Sequence, residues 1–169
     1  MTSSNPAAPL LVPELDVSDL AASLAFYVGI LGFAVVFERP AERFAYLSRE
    51  GVSLMLEEAA GPGRRVHTAP LTRPFGRGMN LQTAVTDVDA LLDRVRSGRC
   101  EIVVPLEERW YAVNVQVAAG RWTTTGPIEA GNRQFVVADP DGYLWRFFTD
   151  LGTRPACRPT DGSDRGDRE

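Results

Sequence analysis

The feature that most constrains the fold is a motif that occurs twice. Val17-Ser18-Asp19-Leu20 and Val85-Thr86-Asp87-Val88 each follow a strand-like apolar segment and precede apolar residues at helical spacing. Hydroxyl and carboxyl side chains favour a helix start at these positions, because their oxygens accept hydrogen bonds from free backbone N–H groups. Three strand-like segments follow each helix. The sequence therefore predicts two copies of the order β-α-β-β-β.

The two copies define the predicted domain organisation. The first module is predicted at 11–58 and the second at 79–151, within one domain. Residues 59–78 join them and contain four glycines and three prolines, which is typical of a linker or lid. Residues 1–10 are predicted to be a flexible N-terminus and 152–169 a disordered tail, since neither has an apolar period.

Proline limits two of the predicted strands. Pro13 removes a backbone donor from the first strand, which predicts an edge position for that strand. Pro105 is expected to break the chain between strands at 100–104 and 109–117. A loop is predicted at 118–132.

A turn motif, Asp139-Pro140-Asp141-Gly142, lies between two apolar runs. Proline fixes φ and glycine accepts a positive φ, so the motif predicts a β-hairpin over 133–148. One face of the second arm is purely aromatic and is expected to pack on the second helix: Tyr143, Trp145 and Phe147. The opposite face carries Arg146 between Leu144 and Phe148. A lone charge among apolar neighbours is the feature of this hairpin that needs an explanation.

Composition limits the expected partners. The net charge is -4 and no run of five basic residues occurs, so nucleic acid is not an expected partner. No apolar stretch approaches the ~20 residues that cross a bilayer, and 1–9 lacks the pattern of a secretory signal. We therefore expect no membrane partner and a cytoplasmic location. The single histidine, His67, argues against a histidine metal cage, and we expect no bridge between Cys100 and Cys157.

The chain resembles the vicinal oxygen chelate superfamily of glyoxalases, bleomycin resistance proteins and extradiol dioxygenases, and within it the bleomycin resistance protein type. The resemblance covers about 11–151 and is carried by Val17-Ser18-Asp19-Leu20, Ser23-Leu24-Ala25-Phe26-Tyr27, Leu31-Gly32-Phe33, Arg133-Gln134-Phe135 and Asp139-Pro140-Asp141-Gly142-Tyr143-Leu144. It implies an α+β fold in which two tandem βαβββ modules form a concave sheet. It also implies a homodimer, in which strands or modules can be swapped between chains.

Enzymes of this superfamily place His, Glu or Gln metal ligands on the first and last strands of each module. The matching positions here are Val12, Glu57, Asn80 and Arg146, with Met55 replacing Glu57 if the register shifts by two. Valine has no donor atom and arginine stays charged, so too few donors remain for a divalent ion. We therefore predict that the metal site is lost and that no cofactor is needed, which favours a binding protein over an enzyme.

The resulting hypothesis is metal-independent binding of a small amphipathic molecule in a cleft at the dimer interface, with antibiotic resistance by sequestration as a candidate role. The candidate binding residues are Tyr46, Met55, Glu57, Phe75, Asn80, Gln82, Trp110, Tyr111, Arg146 and Phe148. Two roles stay open for Arg146: a salt bridge to Glu57, or contact with an anionic or carbonyl group of the ligand.

Two other functions stay open. A lyase, isomerase or dioxygenase would need a relocated metal site, for which Glu14, Asp16 and Glu57 are the candidates. An interaction module would instead have its cleft filled by the partner chain. Among the remaining polar residues, Glu107 and Glu108 are expected to be solvated.

Overall fold

The computed structural model describes residues 11–64, 66–113, 116–117, 121–122 and 128–156. The expected flexible N-terminus, Cys157 and the rest of the expected tail beyond 156 lie outside these ranges. None of the helices in the described ranges is long and apolar enough to cross a bilayer.

The first module is a four-stranded mixed sheet with one helix. Its strands are β1 (Glu14–Val17), β2 (Ala34–Arg39), β3 (Phe44–Arg49) and β4 (Val52–Glu58), in the order β1-β4-β3-β2. Strand β1 runs parallel to β4 and lies at the sheet edge, as Pro13 predicted. The helix α1 (Leu20–Leu24) continues as a π-helical segment (Ala25–Ile30), and a 3-10 turn (Pro40–Glu42) joins β2 to β3.

The second module repeats this arrangement. Its strands are β5 (Asn80–Ala84), β6 (Ile102–Val113), β9 (Ile128–Ala138) and β10 (Leu144–Pro155), and its helix is α2 (Val88–Ser97). The order β5-β10-β9-β6 matches β1-β4-β3-β2 strand for strand. Two short strands, β7 (Gln116–Val117) and β8 (Arg121–Trp122), pair with each other. These two sheets confirm the predicted α+β fold of two modules.

The helix caps explain why the repeated motif marks both modules. The carboxylate of Asp19 accepts a hydrogen bond from the Ala22 N–H, and that of Asp87 accepts one from the Ala90 N–H, at 3.0 and 2.9 Å. The capping residue is thus the aspartate of each motif. Ser18, the hydroxyl residue of the first motif, donates its backbone N–H to the Asp141 carboxylate at 2.9 Å.

Three segments of the second module differ from the sequence expectation. Pro105 does not end a strand, because β6 passes through it with shifts of register on either side of Val104. A β-bulge lets the ladder tolerate a residue without an N–H. Strand β9 begins at Ile128, inside the expected loop, and β10 continues to Pro155, inside the expected tail. Pairing of β9 with both neighbours satisfies the backbone groups of these extensions.

The two modules share one hydrophobic core. Buried side chains from both sheets and both helices form a single cluster. Trp145 of β10 packs edge-on against Tyr27 and Phe33 of the first module, with ring centroids 5.9 and 6.0 Å apart. The aromatic face of the hairpin is therefore covered as expected, although Trp145 packs on the first module rather than only on α2. Unfolding of one module would expose the core of the other.

A buried polar chain crosses this core. The indole N–H of Trp145 donates to the Tyr27 hydroxyl at 3.0 Å, and that hydroxyl donates to the Asp139 carboxylate at 2.7 Å. Asp139 lies in the hairpin turn, where its other carboxylate oxygen accepts the N–H groups of Asp141 and Tyr143. Through Asp139, the turn of the hairpin thus holds the first helical segment, which carries Tyr27, against the second sheet.

We expect the stability of the protein to fall steeply above a pH of about 10. Burial and the Asp139 carboxylate raise the pKa of Tyr27 well above its usual value, and burial likewise raises the pKa of Tyr143. The unfolded chain therefore loses these protons at a lower pH than the folded chain. Each tyrosine then lowers the free energy of unfolding by up to about 1.4 kcal/mol per pH unit.

The substitution Tyr27→Phe is the test of this pH dependence. It removes one of the two shifted groups, so urea unfolding between a pH of about 9 and 11 should show a shallower loss of stability than the wild type. An equally steep loss in both proteins would contradict a protonated Tyr27 in the folded state. Tyr111→Phe is the matched control, because this tyrosine is exposed.

Candidate functional site

The side of each sheet opposite the shared core is here called its open face. Side chains alternate between the two sides of a strand, so every second residue of β5, β9 and β10 lies on the open face of the second sheet. Arg146 of β10 lies between Gln82 of β5 and Val136 of β9 in the ladder. Phe148 lies one step further along β10, opposite Gln134 of β9. Three of the polar candidates, Asn80, Gln82 and Arg146, thus lie on this surface.

Arg146 contributes to a small cavity on this open face. The cavity measures about 210 Å³ and is lined by Asn80, Leu81, Gln82, Val136, Leu144 and Arg146. The Arg146 side chain is half-buried. It forms no hydrogen bond or ion pair with any residue in the described part of the chain. A guanidinium that loses water without gaining a partner raises the free energy of the folded state, and an anion in the cavity would offset that cost.

Within the described part of the single chain, Arg146 forms no salt bridge with Glu57. Glu57 belongs to β4 of the first sheet and is only 3% exposed. It lies beside Gly63 of the linker, where a Cβ atom would meet its Oε1 at 1.8 Å. Glu57 therefore belongs to a site of its own, because the linker crosses the open face of the first sheet at this point.

The open face of the first sheet has an acidic part and an aromatic part. Its acidic part is a cavity of about 160 Å³ lined by Glu14, Asp16, Glu57, Arg64, Val66 and His67. His67 is exposed, and its Nε2 lies 2.9 Å from the Asp16 carboxylate. In the aromatic part, Tyr46 stacks on Phe37 with ring centroids 5.0 Å apart and is paired with Met55 in the ladder. Tyr46 and Met55 thus share this face.

The structure separates Trp110 and Tyr111, the two aromatic residues at the start of the expected strand 109–117, which lie near the end of the observed β6. Tyr111 lies on the open face, where its hydroxyl accepts a hydrogen bond from Gln134 at 2.9 Å. Trp110 lies on the other face, against Gly131 and under the Arg154 guanidinium at 3.9 Å. The expected cleft role of Trp110 is therefore not supported by its position, since neighbours on a strand point to opposite sides.

Phe75, a candidate binding residue in the linker, is held by the hairpin turn. Its N–H donates to the backbone oxygen of Asp141 at 2.8 Å, and its ring packs against the shared core. It therefore anchors the linker to the hairpin turn rather than lining the cavity at Arg146.

Two residues of the open face were missed as binding candidates. Gln134 is 2% exposed and donates its amide N–H groups to Tyr111 and to the Glu107 carboxylate, the latter at 3.0 Å. Glu107 is half-buried rather than fully solvated. The sequence signal for Gln134 was its position directly before the apolar run 135–138. An amide next to such a run is expected to be buried, and a buried amide needs a hydrogen-bond partner.

The residues at the superfamily's metal positions do not fit a metal ion. Val12 precedes β1, Glu57 lies on the first sheet, and Asn80 and Arg146 lie on the second. A valine and a guanidinium supply no donor to a cation. Across the residues that the structure describes, no group of three or more His, Cys, Asp or Glu side chains is placed to hold one.

Two tandem four-stranded modules with one helix each, joined through a shared core, define a class of α+β proteins with an open face on each sheet. Within that class, the model of the Glyoxalase/Bleomycin resistance protein/Dioxygenase superfamily matches residues 11–147, and the chain belongs to this superfamily. No curated protein matches the chain.

Several solved structures are similar to this chain. TioX from Micromonospora sp. ML1 is 24% identical with a TM-score of 0.58, over 83% of this chain and 98% of that one. Virulence protein STM3117 from Salmonella typhimurium is 20% identical with a TM-score of 0.56, over 81% and 92%. A glyoxalase/bleomycin resistance protein/dioxygenase superfamily member from Vibrio splendidus 12B01 is 37% identical with a TM-score of 0.33, over 83% and 97%. The first two likenesses support the fold.

Proposed function

We propose that this protein binds a small amphipathic molecule without a metal ion and holds an anionic or carbonyl group of that molecule with Arg146. The observation that carries the proposal is the half-buried guanidinium, which has no partner in the described part of the chain. Asn80 and Gln82 add uncharged donors and acceptors to the same cavity, while Val136 and Leu144 add apolar walls. The mechanism is affinity, with no covalent step.

A homodimer and a bleomycin resistance protein-like role are further parts of this proposal. In the single chain, Val35 and Phe37 of the first sheet are 41% and 48% exposed. A second copy would cover such side chains and give the cleft its other wall. The superfamily's own description includes bleomycin resistance proteins, which supports sequestration of an antibiotic as the role.

The enzyme alternative receives less support. Glu14, Asp16 and Glu57 do line one cavity, as a relocated metal site would require. However, Arg64 and His67 line the same cavity, and His67 already pairs with Asp16. A cation there would face repulsion from the arginine and competition for the carboxylate.

We expect octanoate to bind about tenfold more tightly than octanamide, because a charge-assisted hydrogen bond exceeds a neutral one by roughly 1.4 kcal/mol. The two probes share one apolar chain and differ only in the head group. Titration of the ¹⁵N-labelled protein, followed by amide chemical shifts, measures both dissociation constants. The ratio should not change after dialysis against EDTA. Equal affinity for the two probes, or loss of octanoate binding with the metal removed, would contradict the proposal.

A further inference from the structure

A second polar group lies on the open face of the second sheet, away from the Arg146 cavity. It consists of Glu107 and Tyr111 on β6 and Gln134 on β9. The Gln134 amide is buried and holds both partners, at 3.0 Å for the carboxylate and 2.9 Å for the hydroxyl. These two bonds fix the positions of the Glu107 carboxylate and the Tyr111 hydroxyl relative to each other.

This group shares its face with Arg146. Glu107 is opposite Gln134 in the ladder, Gln134 is opposite Phe148, and Arg146 is one step further along β10. Two strand spacings and two residues of rise place the Cα atoms of Glu107 and Arg146 about 12 Å apart. Phe148 and Val136 lie between them on the same face. One extended molecule can therefore reach both groups across an apolar floor.

The group has more acceptors than donors. The Glu107 carboxylate only accepts, and it forms no ion pair with the residues that the structure describes. The amide oxygen of Gln134 is buried and has no hydrogen-bond partner in the described ranges. An unsatisfied buried acceptor is destabilising until a donor reaches it. Both N–H donors of the Gln134 amide are used within the group, so the Tyr111 hydroxyl, whose acceptor side alone is occupied by Gln134, supplies the remaining donor of the group.

We infer that Glu107, Gln134 and Tyr111 form a second subsite that binds an ammonium or other N–H donor at the far end of the ligand. The inference rests on the proposed function, since it takes Arg146 as the contact of the anionic end. The ligand class is then a zwitterion whose opposite charges are separated by an apolar segment of about 8 to 12 Å. Arg109 shares the face of Glu107 by alternation, but it is exposed, and in the described ranges it forms no hydrogen bond or ion pair with Glu107 or Gln134.

The test compares octanoate with 8-aminooctanoate, which adds an ammonium at the other end of the same chain. We expect the wild type to bind 8-aminooctanoate about tenfold more tightly than octanoate. Glu107→Gln should bind the two probes with about equal affinity, because the carboxylate that receives the ammonium is gone. Glu108→Gln is the matched control: the neighbouring residue lies on the opposite face, against Arg133, and its variant should keep the preference.

The possible outcomes distinguish failure of the second subsite from failure of the Arg146 site. If octanoate is preferred to octanamide but 8-aminooctanoate gains nothing, or if Glu107→Gln keeps the full preference, the second subsite is wrong and the Arg146 site stands. If octanoate gains nothing over octanamide, the Arg146 site fails and the zwitterion class fails with it.

Discussion

Trp145→Ala should lower the free energy of unfolding by about 4 kcal/mol, the largest single effect that we expect in this protein. The indole is 2% exposed and stacks on Phe147 while meeting Tyr27 and Phe33 edge-on. Truncation removes this burial, leaves a cavity between the modules and takes a donor from the Tyr27 hydroxyl. Because the core is shared, both sheets should still unfold in one transition.

Urea unfolding, followed by far-ultraviolet circular dichroism rather than by tryptophan fluorescence, measures this effect. Trp110→Ala is the control, since that indole is half-buried, lies outside the shared core and stacks on Arg154. Its loss should be about 1 to 2 kcal/mol. Equal losses in the two variants, or two separate transitions in the wild type, would contradict a single core that joins the modules.

Asp139→Ala should lower the free energy of unfolding by about 3 to 4 kcal/mol. The change removes the acceptor of the Tyr27 hydroxyl and of the Asp141 and Tyr143 N–H groups, and so leaves buried donors unpaired. Burial raises the pKa of the Asp139 carboxyl in spite of these bonds. The charge is therefore unfavourable in itself, and the value of the residue lies in the donors that it satisfies.

Asp150→Ala provides a matched control for the turn. Asp150 also accepts a backbone N–H two residues later, from Gly152 at 2.8 Å, but it is exposed. Water can replace that acceptor, so we expect a loss below about 1 kcal/mol from chemical or thermal unfolding. A loss at Asp139 no larger than at Asp150 would show that the buried polar chain does not stabilise the fold.

Local sequence predicted the fold because local physics determines most of it. The capping motifs, the alternation of β10 and the Asp-Pro-Asp-Gly turn all appear where they were expected. Pro105 was misjudged, since a bulge allows a strand to pass a missing donor, and only pairing with β9 reveals that the strand continues. The end of β10 was placed too early for the same reason, because its partner Ile128 is distant in sequence.

The site was harder to predict because it depends on which sheet each residue joins. Arg146, Asn80 and Gln82 were correctly brought together, since the repeat aligns β5 with β10. The sequence did not predict that Glu57 and Arg146 lie apart. They occupy equivalent strands, β4 and β10, but these strands belong to different sheets. Gln134 was missed because its hydrogen-bond partners, Glu107 and Tyr111, lie on another strand.

The affinity of Arg146→Gln for octanoate tests the central proposal most directly. The variant keeps a polar side chain of similar reach but removes the charge, so we expect its dissociation constant to rise at least about tenfold. The dissociation constant of Arg146→Lys should lie between those of the wild type and Arg146→Gln, because lysine keeps the charge and lacks the planar guanidinium. Arg96→Gln, on the exposed side of α2 beside Asp93, should bind as the wild type does. Unchanged octanoate affinity in a folded Arg146→Gln protein would contradict the account.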